Sequence, residues 1–193
     1  MIHCLAFRHA PTDWNEQELI QGHTDIPLNQ NGKEVAYTKK KEIFINNKID
    51  IVFSSDLKRA YQTAKIIFPD KKIHKTKLLR EINFGTLDGE NRWQVRKNFP
   101  FFNRVLNNPK HPLHLFTPFP EGEAAIESIM RFIRFLIKIE ENHSSKTVAL
   151  FTHCDLLETL FEINNIPIPK IDFVSKIEFD FNSETMNFSN FKY

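Results

Sequence analysis

The sequence predicts an α/β fold in which a mostly parallel sheet carries helices on both faces. Short apolar runs of strand length alternate along the chain with segments whose apolar residues recur at the helical period, and this alternation is typical of parallel sheets. One run, over residues 147–152, is almost continuously apolar, as expected for a strand that is buried on both faces. Because 193 residues suffice for one core and are few for two, we predict a single domain over residues 1–193.

The chain begins with a strand, a loop and a helix. Residues 1–7 form a short apolar run, which predicts the first strand. Gly22 and Pro27 mark the loop that follows. A helix is then predicted from residues 29–32 to about Asn46.

A second strand and helix follow. Residues 50–54 are typical of a short buried strand, and Ser55 or Asp56 is a candidate cap for the next helix. Apolar residues at helical spacing predict that helix: Leu57, Ala60, Ala64 and Ile67. Pro69 ends it, and a weak strand is expected around Ile73.

The second half of the chain continues the alternation after an irregular stretch. An amphipathic helix is predicted over residues 121 to about 141, followed by the strand at 147–152 and a further helix. Alternating apolar and polar residues over 176–182 predict a half-exposed strand, with residues 186–191 as its hairpin partner. Over about residues 86–120 we expect a partly helical excursion that covers the site, and a loosely packed surface loop is the alternative.

Composition and charge exclude several classes of protein. The formal net charge of +2 is too balanced to indicate a duplex-binding protein, so no nucleic-acid partner is predicted. No apolar run approaches the roughly 20 residues of a membrane span. Two cysteines, Cys4 and Cys154, do not make a disulfide framework. We therefore expect a cytoplasmic protein with no membrane partner.

Anion-binding and nucleophilic side chains are predicted at one edge of the sheet. Arg8 and His9 follow the first strand, and His153 follows the apolar run of the second half. Arg59, in the first turn of its helix, reaches the same edge if that helix begins there. Two guanidiniums and a second imidazole would form an anion pocket around a neutral imidazole that can attack phosphorus. Glu81 is the best placed carboxylic acid to protonate the departing alkoxide.

Ordered motifs over about residues 1–163 resemble those of the histidine phosphatase superfamily, also called phosphoglycerate mutase-like. The family's Arg-His-Gly signature appears here as Arg8-His9-Ala10, and its following asparagine is matched by Asn15. Five further stretches resemble the remaining motifs: residues 21–28 with Gly32, residues 54–64, residues 79–90, residues 120–123 and residues 151–153. Each motif alone is weak, but the ordered set is very specific.

The resemblance implies a three-layer α/β/α sandwich and a phosphohistidine mechanism. His9 would be the phosphorylated nucleophile. Arg8, Arg59 and His153 would hold the phosphoryl group. Glu81 would act first as the acid and then as the base that activates water.

The resemblance also assigns substrate-binding residues. Asn15 and Gln21 would contact the phosphate or the substrate, and the loop with Gly22 and His23 would border the pocket. No metal and no organic cofactor would be needed. The oligomeric state, monomer or dimer, is left open.

Two departures from the family pattern bear on the site. Ala10 replaces a glycine, and its methyl group is tolerable if the backbone angles suit a non-glycine residue. Cys154-Asp155 replaces a Gly-Gly or Gly-small pair; the backbone N–H groups there can donate to the phosphate if they face it. Asp155 should weaken phosphate binding unless its side chain caps the helix. Cys154 is either a low-pKa thiol beside cations or a small buried residue.

The predicted function is hydrolysis of a small phosphorylated metabolite through a phosphohistidine. Residues 84–90 with Trp93 are similar to the α-ribazole phosphatase and broad-specificity phosphatase branch. Two alternatives are a phosphoglycerate mutase-type phosphotransferase and a non-catalytic member that binds a phosphorylated ligand. The departures at Ala10 and Cys154-Asp155 motivate the last of these.

Overall fold

A six-stranded sheet forms the centre of the protein in the computed structural model, which describes residues 1–46, 48–101, 104, 105, 108 and 110–193. The strands in chain order are β1 (Ile2–Arg8), β2 (Ile51–Ser55), β3 (Ile73–Thr76), β4 (Thr147–Thr152), β5 (Lys176–Asn182) and β6 (Asn187–Lys192). Their order across the sheet is β3-β2-β4-β1-β5-β6. The first four are parallel to one another, and the hairpin of β5 and β6 is antiparallel. The predicted mostly parallel sheet is therefore confirmed.

Helices cover both faces of this sheet. In chain order they are α1 (Asp13–Glu16), α2 (Gln30–Asn46), α3 (Lys58–Ile67), α4 (Arg92–Asn98), α5 (Ala125–His143) and α6 (Cys154–Ile163). One core joins the sheet to α2 and α3, and a second joins it to α5 and α6. The three-layer sandwich that the resemblance implies is thus confirmed.

The alternation of side chains along the central strands explains why both faces need a helical layer. In β1, Cys4 and Ala6 belong to the core under α5 and α6, whereas Leu5 and Phe7 belong to the opposite core. Successive side chains of a strand point to opposite faces, so a strand that is apolar at every position must be covered on both. Phe7 stacks on Phe151 of β4 with ring centroids 5.1 Å apart, which ties the two strands that carry the histidines.

The observed caps differ from the predicted ones at α3. Neither Ser55 nor Asp56 caps the helix: Ser55 extends β2 by pairing with Thr76, and Asp56 binds Arg80 through two contacts of 2.7 Å. The carboxylate of Asp25 accepts a hydrogen bond from the Lys58 backbone N–H instead, at 2.6 Å. A cap from a residue more than thirty positions away leaves no local signal, so the prediction was wrong.

The long helix α5 also begins later than predicted, at Ala125 instead of residue 121. Glu121 has a positive φ of 56°, which ends any helical continuation toward the N-terminus. The side chain of Glu127 accepts from the Ala124 backbone N–H at 2.8 Å and fixes the start. The segment before α5 therefore forms turns that pack against residues 83–86.

The predicted excursion is partly helical, because α4 lies within it. A third apolar cluster ties this part of the chain to the domain; its buried members are Ile20, Ile82, Phe84, Leu87, Val95, Phe119 and Ala125. Residues 102, 103, 106, 107 and 109 of the predicted excursion lie outside the described residues. Among the described helices, none is long and apolar enough to cross a membrane.

Candidate active site

Two histidines meet at the carboxyl ends of the central strands β1 and β4. The register pairs Arg8 with Thr152, so His9 and His153 leave the sheet at the same level. The His9 backbone N–H donates to the Thr152 carbonyl at 3.0 Å, and the two imidazole centroids lie 5.3 Å apart. Parallel pairing of β1 and β4 therefore creates the predicted pair of imidazoles.

The tautomer of His9 leaves a lone pair on Nε2. Its Nδ1 lies 2.7 Å from the Ala10 carbonyl oxygen, and because a carbonyl can only accept, Nδ1 carries the proton. His9 is 4 % exposed. Burial and the charges of Arg59 and Arg8 hold the pKa of His9 well below its usual value. His9 is therefore a neutral imidazole whose Nε2 can act as a nucleophile.

The tautomer of His153 is the opposite one. Arg59 donates from Nε to His153 Nδ1 at 3.3 Å, so the proton of a neutral His153 lies on Nε2. This Nε2 is buried and has no hydrogen-bond partner among the described residues. Burial and the charge of Arg59 lower the pKa of His153. His153 thus offers an unused N–H donor beside His9, as a phosphoryl oxygen requires.

Arg59 is a fully buried cation held by the loop that precedes α2. Its Nη1 and Nη2 groups donate to the carbonyls of Thr24 and Gly22 at 2.9 and 2.7 Å. With the bond to His153, these contacts use three of the five N–H groups of a guanidinium. Burial lowers the pKa of Arg59 to about 10, so the side chain stays charged at neutral pH. The loop therefore orients Arg59 while leaving N–H groups for an anion.

Arg8 provides a second guanidinium from the end of β1. It donates from Nη1 to the Ile171 carbonyl at 2.7 Å and lies 4.1 Å above the Phe173 ring. Its Nε is buried without a hydrogen-bond partner among the described residues. A buried N–H group without an acceptor costs free energy. An anion that accepts a hydrogen bond from Arg8 Nε would therefore be bound favourably.

Glu81 is a buried carboxyl group at the start of α6. It accepts hydrogen bonds from the backbone N–H groups of Ile82, Asp155 and Leu156 at 3.0, 3.1 and 2.9 Å. Two causes raise the pKa of Glu81 to about 8: burial, which is the larger, and the charge of Asp155. Glu81 is therefore protonated at neutral pH, which is the form that a general acid needs.

The contacts of Glu81 bear on the backbone N–H groups after His153, which could donate to the phosphate if they faced it. The N–H groups of Asp155 and Leu156 donate to Glu81 instead. The side chain of the N-cap residue, His153, makes no capping hydrogen bond, and the Glu81 side chain takes this role. The carboxyl oxygens of Glu81 therefore accept the hydrogen bonds that this helix N-terminus would otherwise offer to an anion.

Replacing Asp155 with asparagine is expected to shift the pH dependence of the enzyme. Because Asp155 raises the pKa of Glu81, its neutralisation lowers that pKa. The alkaline fall of kcat/KM, which reports loss of the proton on Glu81, then moves about one unit toward lower pH. A pH profile on a phosphate ester with an alkyl leaving group, such as β-glycerophosphate, measures this, because its alkoxide needs a proton to depart; exposed Asp70→Asn is the control. An unchanged alkaline limb in Asp155→Asn would show that Asp155 does not tune Glu81.

The predicted substrate-binding residues occupy different positions around this centre. Gln21 is 7 % exposed; its Oε1 accepts from Thr12 Oγ1 at 3.0 Å, and its Nε2 is buried without a described partner. Asn15 lines a cleft beside Arg8. Gly22 binds Arg59 through its carbonyl, and its N–H donates to an Asp88 carboxylate oxygen at 2.7 Å.

His23 contacts the backbone of Glu81 and not its carboxyl group. Its Nε2 donates to the Glu81 carbonyl at 3.0 Å and is 4.0 Å from a carboxylate oxygen of Glu123. Burial lowers the pKa of His23. Arg131 also donates to the Glu81 carbonyl, at 2.6 Å. His23 and Arg131 therefore hold the backbone of Glu81, and its contact with a substrate stays a prediction.

Sequence reasoning missed several residues that position the site. Thr63 accepts from the Ala10 backbone N–H at 3.0 Å and donates to the Arg59 carbonyl at 2.7 Å. Phe173 lies under Arg8. Thr63 falls one helical turn after Arg59, which is a usable signal, whereas Phe173 has none that links it to Arg8.

The departures at Ala10 and Cys154 have structural explanations. Ala10 is buried and does not have a positive φ, so its backbone conformation accepts a methyl group. Burial and the charge of Asp155 raise the pKa of Cys154. The interpretation of Cys154 as a low-pKa thiol is therefore wrong, because burial and nearby carboxylates raise its pKa more than the charge of Arg8 lowers it.

A cleft of about 480 Å³ opens beside Arg8. Its lining includes Arg8, next to His9, and Cys154 and Asp155, next to His153. Cys154, Asp155 and Glu158 form a group whose possible metal-ligand atoms all lie within 4.8 Å of one another. This group is the candidate for a metal site among the described residues, and the predicted lack of a metal stays a prediction.

Comparisons with known proteins agree with this geometry. Residues 4–174 match the histidine phosphatase superfamily (branch 1). The chain is 28% identical over 162 residues to phosphoglycerate mutase-like protein 4 of Arabidopsis thaliana, which covers 82% of this chain and 69% of the relative. It is 30% identical over 156 residues to phosphoserine phosphatase 1 of Hydrogenobacter thermophilus, covering 79% of this chain and 71% of the relative.

The fold is also similar to solved structures. A phosphoserine phosphatase from Entamoeba histolytica, solved as a mutant in complex with phosphoserine, aligns with a TM-score of 0.81 at 24% identity and covers 99% of this chain and 96% of the other. The similarity to the α-ribazole phosphatase branch stays a prediction. The matched motifs, the α/β/α fold and the paired histidines agree, and the chain belongs to the histidine phosphatase superfamily.

Proposed function

We propose that the protein hydrolyses a small phosphate monoester through a phosphohistidine on His9, without a metal ion. The observation that carries this proposal is the complementary pair of tautomers. His9 presents a lone pair on Nε2, and His153 presents an unused N–H beside it. This pair supports a nucleophile on His9 and a hydrogen-bond donor on His153 for a phosphoryl group that Arg8 and Arg59 would also hold.

In the first step, His9 Nε2 attacks phosphorus and the bond between phosphorus and the ester oxygen breaks. Glu81 transfers its proton to that oxygen, so the alcohol leaves neutral. Arg8, Arg59 and His153 stabilise the three phosphoryl oxygens by charge-assisted hydrogen bonds. The products are the alcohol, phosphorylated His9 and the carboxylate of Glu81.

In the second step, water attacks the phosphorylated imidazole. The Glu81 carboxylate takes a proton from this water, the bond between nitrogen and phosphorus breaks, and inorganic phosphate leaves. His9 and protonated Glu81 are restored. The pKa of about 8 for Glu81 suits both directions, because donation and acceptance are near balance around neutral pH.

The names of the relatives support a small phosphorylated substrate but differ in the leaving group. They include a phosphoserine phosphatase and a phosphoglycerate mutase-like protein, and one structural neighbour was solved with phosphoserine. A mutase would return the phosphoryl group to a second hydroxyl, and a non-catalytic member would bind without turnover. Both are distinct outcomes of the test below.

Hydrolysis of p-nitrophenyl phosphate in excess EDTA tests the proposed function. We expect steady release of inorganic phosphate that equals the release of p-nitrophenolate. Phosphoryl transfer to an added alcohol, with little free phosphate, would favour the mutase. Loss of activity in EDTA and its return with a divalent cation would overturn metal independence. No turnover of any ester by folded protein that still binds phosphate would favour the non-catalytic alternative.

A further inference from the structure

The cleft beside Arg8 is lined by side chains of both charges. Its arginines include Arg92 and Arg96, which lie one turn apart on α4 and therefore on one face of the helix. Its carboxylates are those of Glu18, Asp155 and Glu158, and the pair Asp155 and Glu158, both on α6, is called the acidic wall. Arg8, which also lines the cleft, precedes His9 in the chain. A phosphate ester bound at His9 therefore extends its alcohol part between acids and arginines.

The carboxylates that line the cleft are not neutralised by ion pairs with described basic side chains. None of Glu18, Asp155 and Glu158 takes part in an ion pair within the part of the chain that the structure describes. The carboxylate oxygens of Asp155 and Glu158 lie within 4.8 Å of each other, and like charges at this distance repel one another.

This wall is unfavourable for most phosphate esters. The buried, unpartnered Nε2 of His153 marks where a dianionic phosphoryl group would bind, and Asp155 is two residues away in sequence. A further negative charge beside Asp155 and Glu158 raises the energy of the bound ester. A leaving group that carries a positive charge is attracted by these two carboxylates, and the energy of the bound ester falls.

Resting on the hydrolase function above, we propose that the substrate is an O-phosphorylated amino acid whose ammonium group binds between Asp155 and Glu158. The oxygens of these carboxylates lie within 4.8 Å of each other. One nitrogen can reach two such oxygens at charge-assisted distances of about 2.8 Å. The carboxylate of the amino acid then faces Arg92 and Arg96, which suit planar carboxylates.

Two substrates that differ at a single group test the proposal. O-phosphoserine and 3-phosphoglycerate have the same carbon skeleton, with an ammonium group in one where the other has a hydroxyl. In EDTA, we expect kcat/KM for O-phosphoserine to exceed that for 3-phosphoglycerate at least tenfold. Phosphoethanolamine, which keeps the ammonium group but lacks the carboxylate, should be turned over with a higher KM than O-phosphoserine.

Glu158→Gln assigns the preference to the acidic wall. This variant should raise KM for O-phosphoserine with little change in kcat, and should lower KM for 3-phosphoglycerate, so the ratio of the two kcat/KM values falls about tenfold. Glu141→Gln, an exposed glutamate on α5, is the matched control and should keep the wild-type ratio. Thermal unfolding checks that Glu158→Gln is folded, and Glu18→Gln, at another carboxylate of the cleft, is a second variant.

Three results would overturn the proposal. The first is equal or better turnover of 3-phosphoglycerate by the wild type. The second is an unchanged ratio in folded Glu158→Gln. The third is a preference for O-phosphoserine that disappears in EDTA and returns with a divalent cation, because a metal would then occupy the wall. Turnover of p-nitrophenyl phosphate separates these results from failure of the proposed function, in which no ester is hydrolysed.

Discussion

Replacing His9 with alanine is expected to lower kcat for every phosphate ester at least about 10⁴-fold, as removal of a catalytic nucleophile does elsewhere. The side chain is the one that presents a free imidazole nitrogen to the pocket, and its neutral form is enforced by burial and two arginines. Alanine leaves Arg8, Arg59 and His153 in place. Steady-state release of inorganic phosphate from O-phosphoserine and from p-nitrophenyl phosphate measures the loss.

His9→Ala should still bind phosphate, because the anion-binding groups are unchanged. Titration with inorganic phosphate or vanadate by calorimetry checks this, and His74→Ala, at an exposed histidine on β3, is the control that should keep full activity. If His9→Ala retained more than a tenth of the wild-type kcat while His153→Ala did not, the assignment of the two histidines would have to be reversed.

Replacing Glu81 with glutamine is expected to lower kcat for O-phosphoserine by about 10²- to 10⁴-fold, the usual contribution of a general acid. An alkoxide needs a proton to depart, and the glutamine amide cannot supply one. With p-nitrophenyl phosphate the result should differ, since p-nitrophenolate leaves without a proton. The first step then stays fast and the attack of water becomes slow, so the phosphorylated enzyme accumulates.

Rapid mixing of Glu81→Gln with p-nitrophenyl phosphate measures this. We expect a burst of about one p-nitrophenolate per chain, followed by slow release of phosphate. The wild type and Glu141→Gln should show no such burst if their second step is fast. Equal losses of kcat on both esters, with no burst, would mean that Glu81 serves the binding of substrate and not proton transfer.

The architecture was predictable because periodicity is a local property. The bounds of β4, over Thr147–Thr152, agree with the prediction, since a run buried on both faces has sharp polar limits. The caps were not predictable. Asp25 caps α3 and Glu81 occupies the start of α6, and both contacts join residues that are distant in the chain.

The composition of the site was more predictable than its chemistry. His9 and His153 could be placed together because both follow parallel strands that end at the same edge. Their opposite tautomers depend on the Ala10 carbonyl and on Arg59, which only the folded chain brings near. The raised pKa of Glu81 likewise depends on burial and on Asp155.

The excursion shows where sequence patterns give least information. Its aromatic residues and prolines allowed either a packed segment or a loose loop. In the structure, Val95 and Phe119 pack with Ile20 and Phe84 in a third core. Arg92 and Arg96, on the same helix as Val95, line the cleft. These contacts are non-local and irregular in spacing, so no period reveals them.

Trapping the phosphorylated enzyme tests the central claim most directly. Glu81→Gln is mixed with p-nitrophenyl phosphate in EDTA, quenched in base because phosphohistidine is labile to acid, and analysed by intact mass and peptide mapping. We expect one phosphoryl group per chain, on the peptide that contains His9, and none on His9→Ala. A phosphoryl group on another residue, or continued turnover by His9→Ala with no phosphorylated enzyme, would contradict it.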